Sequence, residues 1–98
     1  MRRDEAIRII GEHAEELRSR GVTAVYLFGS TARDEAGPGS DVDILVDIDP
    51  QRNFTLLKLV GLQLYFEKAL GCRVDVGTAR GLKPQFQEQV HREMIRAA

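Results

Sequence analysis

Two segments of the sequence carry acidic residues at alternating positions, a pattern that can bring carboxylates together. Residues 41–48 alternate strictly, so Asp41 and Asp43 lie on one face of a predicted strand and aliphatic side chains lie on the other. Residues two apart on a strand project side by side about 6.6 Å apart. Two ionised carboxylates at that distance repel each other unless a cation or a basic residue joins them. The pattern therefore indicates a cation site.

A second predicted strand, residues 72–77, carries one further acid. Cys72, Val74 and Val76 alternate there with Arg73, Asp75 and Gly77. If this strand lies beside the first in a sheet, Asp75 joins the face of Asp41 and Asp43. Three carboxylates would then surround a point suited to a hard, oxygen-ligated ion such as Mg²⁺.

The third feature is Gly29-Ser30, which follows a predicted buried strand at 22–28 and precedes a short helical segment at 31–36. Glycine lets the backbone come close to a ligand, and exposed amides together with the Ser30 hydroxyl can donate to phosphate oxygens. Arg33 could add a charged donor. This segment is a candidate phosphate cradle.

Each feature also has a purely structural explanation. Asp41 and Asp43 could face solvent on a half-exposed strand, and Asp75 could be the polar face of an edge strand. Gly29-Ser30 could be only a tight turn. The combination of the acids with the upstream Gly-Ser turn favours function.

Helices are predicted around these strands. One spans residues 3–20 and ends at Gly21, and another starts at Asn53 or Thr55, runs to about Leu70 and stops at Gly71. Residues 37–40 form a turn, and a last helix begins near Lys83-Pro84 with Phe86, Val90 and Met94 on one face. For the helix ending at Leu70, the predicted apolar face consists of Leu56, Leu57, Val60, Leu64 and Ala69.

Composition limits the class of protein. Ninety-eight residues, 43% of them hydrophobic and 30% charged, are expected to form one folded domain over residues 1–98. One cysteine and no secretory signal predict a cytoplasmic protein, and no apolar run is long enough for a membrane span. The net charge of −1 gives no indication of nucleic-acid binding. The segment from Gly29 to Asp49 holds six acids and one basic residue, which favours cations.

The run Gly29-Ser30, ten residues, then Asp41-Val42-Asp43 resembles the defining motif of the polymerase-β-like nucleotidyltransferases, and especially of the minimal nucleotidyltransferases. The flanking text LFGSTARDEAGPGSDVDILV extends the match. One departure is that family members often carry Gly after the motif arginine, where this chain has Asp34.

The resemblance implies an α+β fold, with a small mixed three-stranded sheet and helices packed on one face. It implies that Asp41 and Asp43 ligate two Mg²⁺ ions, with Mn²⁺ as the alternative, and that Asp75 is the third catalytic carboxylate. Gly29 and Ser30 would bind the β- and γ-phosphates of ATP. The role of Arg33 stays open, because Asp34 could divert it by pairing.

Proteins of this kind are similar to the antitoxin half of two-protein systems whose other half is an all-helical HEPN-type protein, and some transfer AMP to a tyrosine of that partner. The leading hypothesis is therefore a metal-dependent nucleotidyltransferase that acts on a hydroxyl of a partner protein. The alternatives are a non-catalytic module that neutralises its partner by contact, and an enzyme that modifies a small molecule such as an antibiotic. The intact set of acids favours the first.

Overall fold

The computed structural model describes residues 1–35, 37, 41–79 and 92–98. Residues 38–40 of the turn predicted at 37–40, and most of the predicted last helix, including Phe86 and Val90, lie outside the described residues. The elements in chain order are α1 Arg3–Glu12, α2 Ala14–Ser19, β1 Val22–Phe28, α3 Gly29–Ala32, β2 Val42–Ile48, α4 Leu56–Leu70, β3 Val74–Thr78 and β4 Ile95–Arg96.

The predicted N-terminal helix is divided at His13 into α1 and α2. His13 has φ −102° and ψ 11°, outside the helical range. Its ring nitrogen Nδ1 shares a 2.6 Å hydrogen bond with the Tyr65 hydroxyl of α4, and the two rings meet edge to face. Apolar spacing continues through the break, which is why the sequence predicts one helix. Gly21 ends the segment as predicted, with φ +94°.

The sheet is mixed and has the strand order β3-β2-β1-β4. β1 pairs antiparallel with β2 and with β4, and β2 pairs parallel with β3. The α+β class and the mixed sheet are as predicted, but the strand count of three is wrong. Ile95–Arg96 pairs with the other edge of β1, and a strand of two residues is too short to leave a periodic signal.

The core lies on one face of the sheet. In β2, Val42, Ile44 and Val46 are buried on this face, as the alternation predicted. Leu45 on the opposite face is also buried, and a Cβ placed on Gly77 would lie 3.4 Å from the Leu45 side chain. The other members of the core cluster are Ala6, Ile10, Leu17, Val22, Val25, Leu27, Ala32, Leu62, Phe66, Leu70, Val74, Val76 and Ala97.

Helix α4 has the predicted ends. The Thr55 hydroxyl accepts a hydrogen bond from the Lys58 amide, and Gly71 adopts the left-handed conformation with φ +71°. The predicted inward face is wrong. Leu62, Phe66 and Leu70 are buried, whereas four of the five residues assigned to the core are exposed: Leu56, Leu57, Val60 and Leu64.

The error has a physical reason. α4 carries large apolar side chains on both faces, so the spacing of apolar residues alone cannot tell which face packs on the sheet. Within the described residues, none of the helices has the length and apolar character needed to cross a bilayer.

Candidate active site

The two acid-bearing strands are neighbours, as predicted. In the parallel β2–β3 pairing, Asp43 lies directly opposite Asp75. Residues in register on adjacent strands project to the same face of a sheet. This face is opposite the core face formed by Val42 and Val74, so the two carboxylates stand on the side of the sheet away from the core.

Asp43 is the half-buried member of the acidic set. Burial raises the pKa of its carboxyl above the ordinary value of 3.8, and the negative charges of Asp75 and Asp41 raise that pKa further. Asp41 and Asp75 are themselves exposed. Burial and the neighbouring negative charges therefore disfavour the ionised form of Asp43, and a bound cation would stabilise that form.

Asp41 immediately precedes β2 and is the least constrained of the three acids. Its charge acts on Asp43. In the ranges that the structure describes, no three His, Cys, Asp or Glu side chains converge closely enough to hold a metal ion. The backbone thus sets Asp43 beside Asp75, and side-chain rotation would have to bring in Asp41.

The turn after β1 passes directly beside Asp43. Phe28 is paired with Asp43 in the antiparallel register, and the next residue, Gly29, has φ +69°. A Cβ on Gly29 would lie 2.6 Å from Asp43 Oδ2, closer than real Cβ atoms approach other atoms. Glycine is therefore required here both by the backbone conformation and by the neighbouring carboxylate.

The short helix starts two residues earlier than predicted. α3 covers Gly29–Ala32, so Gly29 and Ser30 form its first residues and do not precede it. Among the residues that the structure describes, no side chain caps its N-terminal end, and Ser30 is half-buried. Of the predicted segment 31–36, residue 36 lies outside the described residues.

Arg33 pairs with acidic side chains, but not with Asp34, the residue considered from the sequence. Its Nε donates to Glu35 at 3.1 Å and its Nη1 donates to Glu93 at 3.2 Å. Glu93 is sixty residues away in sequence, which explains why local spacing did not reveal it. The Arg33 side chain is partly exposed, at 44%, and such pairs are weak.

Asp34 instead adopts the left-handed conformation, with φ +58°. Its Oδ1 accepts a 3.0 Å hydrogen bond from the backbone amide of Arg3, in the first turn of α1. This hydrogen bond lowers the pKa of the Asp34 carboxyl. The positive φ explains why family members often carry glycine at this position, since glycine adopts it without strain. In this chain the hydrogen bond to α1 gives Asp34 a structural role of its own.

The sequence prediction missed one polar group beside the Gly29 turn and one hydrogen-bonded pair toward the other end of β2. The Thr31 side chain in α3 is fully buried, and its hydroxyl has no hydrogen-bond partner within the described residues. On β2, Asp47 accepts a 3.3 Å hydrogen bond from the Tyr26 hydroxyl, whose pKa is raised by burial and by Asp47. The β1–β2 register, which brings Tyr26 beside Asp47, could not be derived from composition.

The three acids stand apart from the cavity that forms at β2. A cavity of about 660 Å³ lies instead at the other end of β2, lined by residues that include Asp47, Asp49, Phe54 and Thr78. The three acids do not line it. A ligand at Asp43 and Asp75 would lie beside the Gly29 turn.

The arrangement of these elements defines the nucleotidyltransferase class. A strand is followed by a Gly-Ser turn, a short helix and a strand with alternating acids, and a parallel strand carries the third acid. The nucleotidyltransferase domain family matches this chain over residues 10–97. The chain belongs to that family.

Relatives of this chain are also nucleotidyltransferases. The protein adenylyltransferase MntA of Thermococcus cleftensis is 42% identical over 93 residues, which are 94% of this chain and 92% of the relative. A solved structure assigned as a minimal nucleotidyltransferase superposes with a TM-score of 0.82 at 39% identity, covering 97% of this chain and 95% of the other.

More distant structures share the fold. A toxin–antitoxin structure with AMP-PNP has a TM-score of 0.73 at 21% identity, covering all of this chain and 73% of the other. A complex from Shewanella oneidensis, in which a tri-AMPylated HEPN toxin is bound to its MNT antitoxin, has a TM-score of 0.68 at 20% identity. The match covers 95% of this chain and 71% of the other.

Proposed function

We propose that this chain is a protein adenylyltransferase that transfers AMP from ATP to a hydroxyl group of an all-helical HEPN-type partner, as the antitoxin of a toxin–antitoxin pair. The observation that carries the proposal is the register of Asp43 with Asp75, beside a turn in which Gly29 contacts Asp43. The name of the Thermococcus relative and the AMPylated toxin in the Shewanella complex support the acceptor class.

Asp41, Asp43 and Asp75 would hold the metal, as two Mg²⁺ ions or Mn²⁺ in their place. The donor set fits, because carboxylate oxygens suit these hard ions. Burial raises the pKa of Asp43, and the negative charges of Asp75 and Asp41, which a cation would offset, raise it further. Proteins of this family generally use divalent metals. When bound, the ions would neutralise charge on the triphosphate and on the transition state.

Gly29 and Ser30 would contact the β- and γ-phosphates. The turn brings the backbone close to Asp43, so phosphates at its amides would lie beside the carboxylates. No side chain in the described ranges caps these amides. Arg33 could join them after leaving Glu35 and Glu93, because partly exposed ion pairs contribute only about 0.2–1 kcal/mol each.

The reaction would be attack of the acceptor oxygen on the α-phosphorus of ATP. A P–O bond forms to the acceptor, the bond to the β-phosphate oxygen breaks, and pyrophosphate leaves with its electron pair. Asp75 would accept the hydroxyl proton. The protein would act mainly by positioning the reactants on a rigid sheet.

We also propose that residues 1–98 act as one domain and that the protein is cytoplasmic. Residues 10–97 fall within one family match, and the chain contains a single cysteine, Cys72, which is free.

The direct test is incubation of the protein with labelled ATP, Mg²⁺ and the helical protein encoded beside its gene. Label on the partner that disappears in Asp41→Ala and in Asp75→Ala supports the enzyme. Asp47→Asn is the matched control, because it removes a charge from the same strand without removing the acceptor for Tyr26. Neutralisation of the partner by both alanine variants, without any label, would favour a module that acts by contact.

A further inference from the structure

The outer side of α4 carries a contiguous set of exposed apolar side chains, here called the outer stripe: Leu56, Leu57, Val60 and Leu64. Their exposed fractions are 76%, 80%, 49% and 61%. With 100° per residue, Leu57 and Leu64 point away from the core, opposite buried Phe66. The stripe extends for about 12 Å along the helix axis.

A single exposed leucine is ordinary, whereas a contiguous patch marks an interaction surface. A helix that is apolar on both faces fits between two packed layers. The inner face of α4 already packs on the sheet through Leu62, Phe66 and Leu70. The second layer, over the outer stripe, is the one that a partner would supply.

One flank of the stripe is basic. A groove of about 290 Å³ runs beside α4, lined by Ser19, Arg20, Arg52, Phe54, Lys58, Gly61 and Leu62. Arg52 donates to the Ser19 carbonyl and Lys58 donates to the Asn53 carbonyl. Within the part of the chain that the structure describes, neither forms an ion pair with an acidic side chain. Their charges are therefore available to an acidic partner.

We propose that the outer stripe docks an amphipathic helix of the partner protein whose apolar face is flanked by acidic side chains that meet Arg52 and Lys58. Spacings of four residues along the stripe suit helix-to-helix packing. The inference rests on the proposed function, since the docked partner is the acceptor.

A second copy of this chain suits the surface less well. A two-fold contact places the same surface on both sides, so the basic flank of Arg52 and Lys58 would meet no complementary acidic flank. The stripe is also small: a few hundred Å² per copy falls short of the total of about 1,200–2,000 Å² buried in stable interfaces. A heterologous partner can extend the contact into the basic groove.

The test is binding of the purified chain to the helical protein encoded beside its gene, measured by calorimetry. We expect Leu57→Ser/Leu64→Ser to weaken the Kd by at least about 100-fold, because both leucines lose buried apolar area. Leu57→Met/Leu64→Met should retain binding. Unchanged nucleotide binding and unfolding show that the serine variant is folded.

The contribution of the basic flank is tested by two variants in which a basic side chain is replaced by an acidic one. Lys58→Glu should weaken binding, less so at 1 M salt. Arg8→Glu, at a side chain of α1 that is 63% exposed, should leave binding unchanged. Self-association of the wild-type chain that the serine variant abolishes would overturn the proposal. So would binding of the stripe to phosphatidylserine–phosphatidylcholine vesicles but not to the partner.

Transfer of AMP, measured with the partner in excess, separates the two proposals. If the serine variant binds the partner like the wild type while transfer persists, the docking surface is wrong and the enzyme stands. If the variant loses binding and the wild type never transfers label, the docking surface stands and the adenylyltransferase fails.

Discussion

Gly29 lies next to the carboxylate of Asp43. A Cβ at position 29 would lie 2.6 Å from Asp43 Oδ2, and Gly29 also has φ +69°. The turn proposed to hold phosphates and the strand proposed to hold metal are thus in direct contact.

Gly29→Ala should therefore be costly. A left-handed non-glycine residue costs about 1–3 kcal/mol, and the new methyl group would also displace Asp43. We expect a loss of that order in the unfolding free energy from urea denaturation, and a loss of transfer larger than the loss of stability explains. Gly11→Ala is the control, since a Cβ at Gly11 meets nothing within 4 Å. Equal transfer by the two variants would contradict the contact.

Asp43 predicts a particular dependence of stability on pH. Its pKa is raised in the folded protein above the ordinary value of 3.8. Its favourable contribution is therefore complete below the ordinary pKa and is lost as the pH rises through the raised pKa. Without divalent ions, we expect the unfolding free energy of the wild type to fall relative to Asp43→Asn over this window. Parallel pH curves for the two proteins would show that the carboxylate is not under this strain.

Metal should reverse that effect. At pH 7, Mg²⁺ with a non-hydrolysable ATP analogue should raise the melting temperature of the wild type, because a ligand of the folded state stabilises it by mass action. The rise should disappear in Asp43→Asn and on addition of EDTA, and should persist in Asp47→Asn. An equal rise in Asp43→Asn would place the metal elsewhere.

Asp34 predicts an order of stabilities. Asp34→Ala loses the hydrogen bond to the Arg3 amide and keeps an unfavourable positive φ, whereas Asp34→Gly loses only the bond. We expect the wild type and the glycine variant to be similar and the alanine variant to be the least stable in urea. Asp4→Ala, in the same turn of α1, is the control for lost charge. An alanine variant as stable as the wild type would refute the role of this contact.

The sequence predicted the placement of Asp43 and Asp75 better than the packing of the elements around them. Alternation predicted the face of Asp43 within β2 and the face of Asp75 within β3, because side chains on a strand alternate with a period of two. The pairing of the two strands, which puts both acids on one face, was an assumption that the structure confirms. The orientation of α4 could not be predicted, because Leu57 and Phe66 are equally apolar and only the shape of the core selects between them. The pairing of Arg33 with Glu93 joins residues sixty positions apart, beyond any local signal.

In the proposed reaction the α-phosphate of ATP passes to the partner as part of AMP, so the position of the label in ATP distinguishes this transfer from transfer of the γ-phosphate. ATP labelled at the α-phosphate should label the helical partner in the presence of Mg²⁺, ATP labelled at the γ-phosphate should not, and Asp75→Asn should abolish the signal while Asp47→Asn retains it. Label arriving from the γ-phosphate would show that the transferred group is not AMP, and transfer that survives in Asp75→Asn would show that Asp75 is not required.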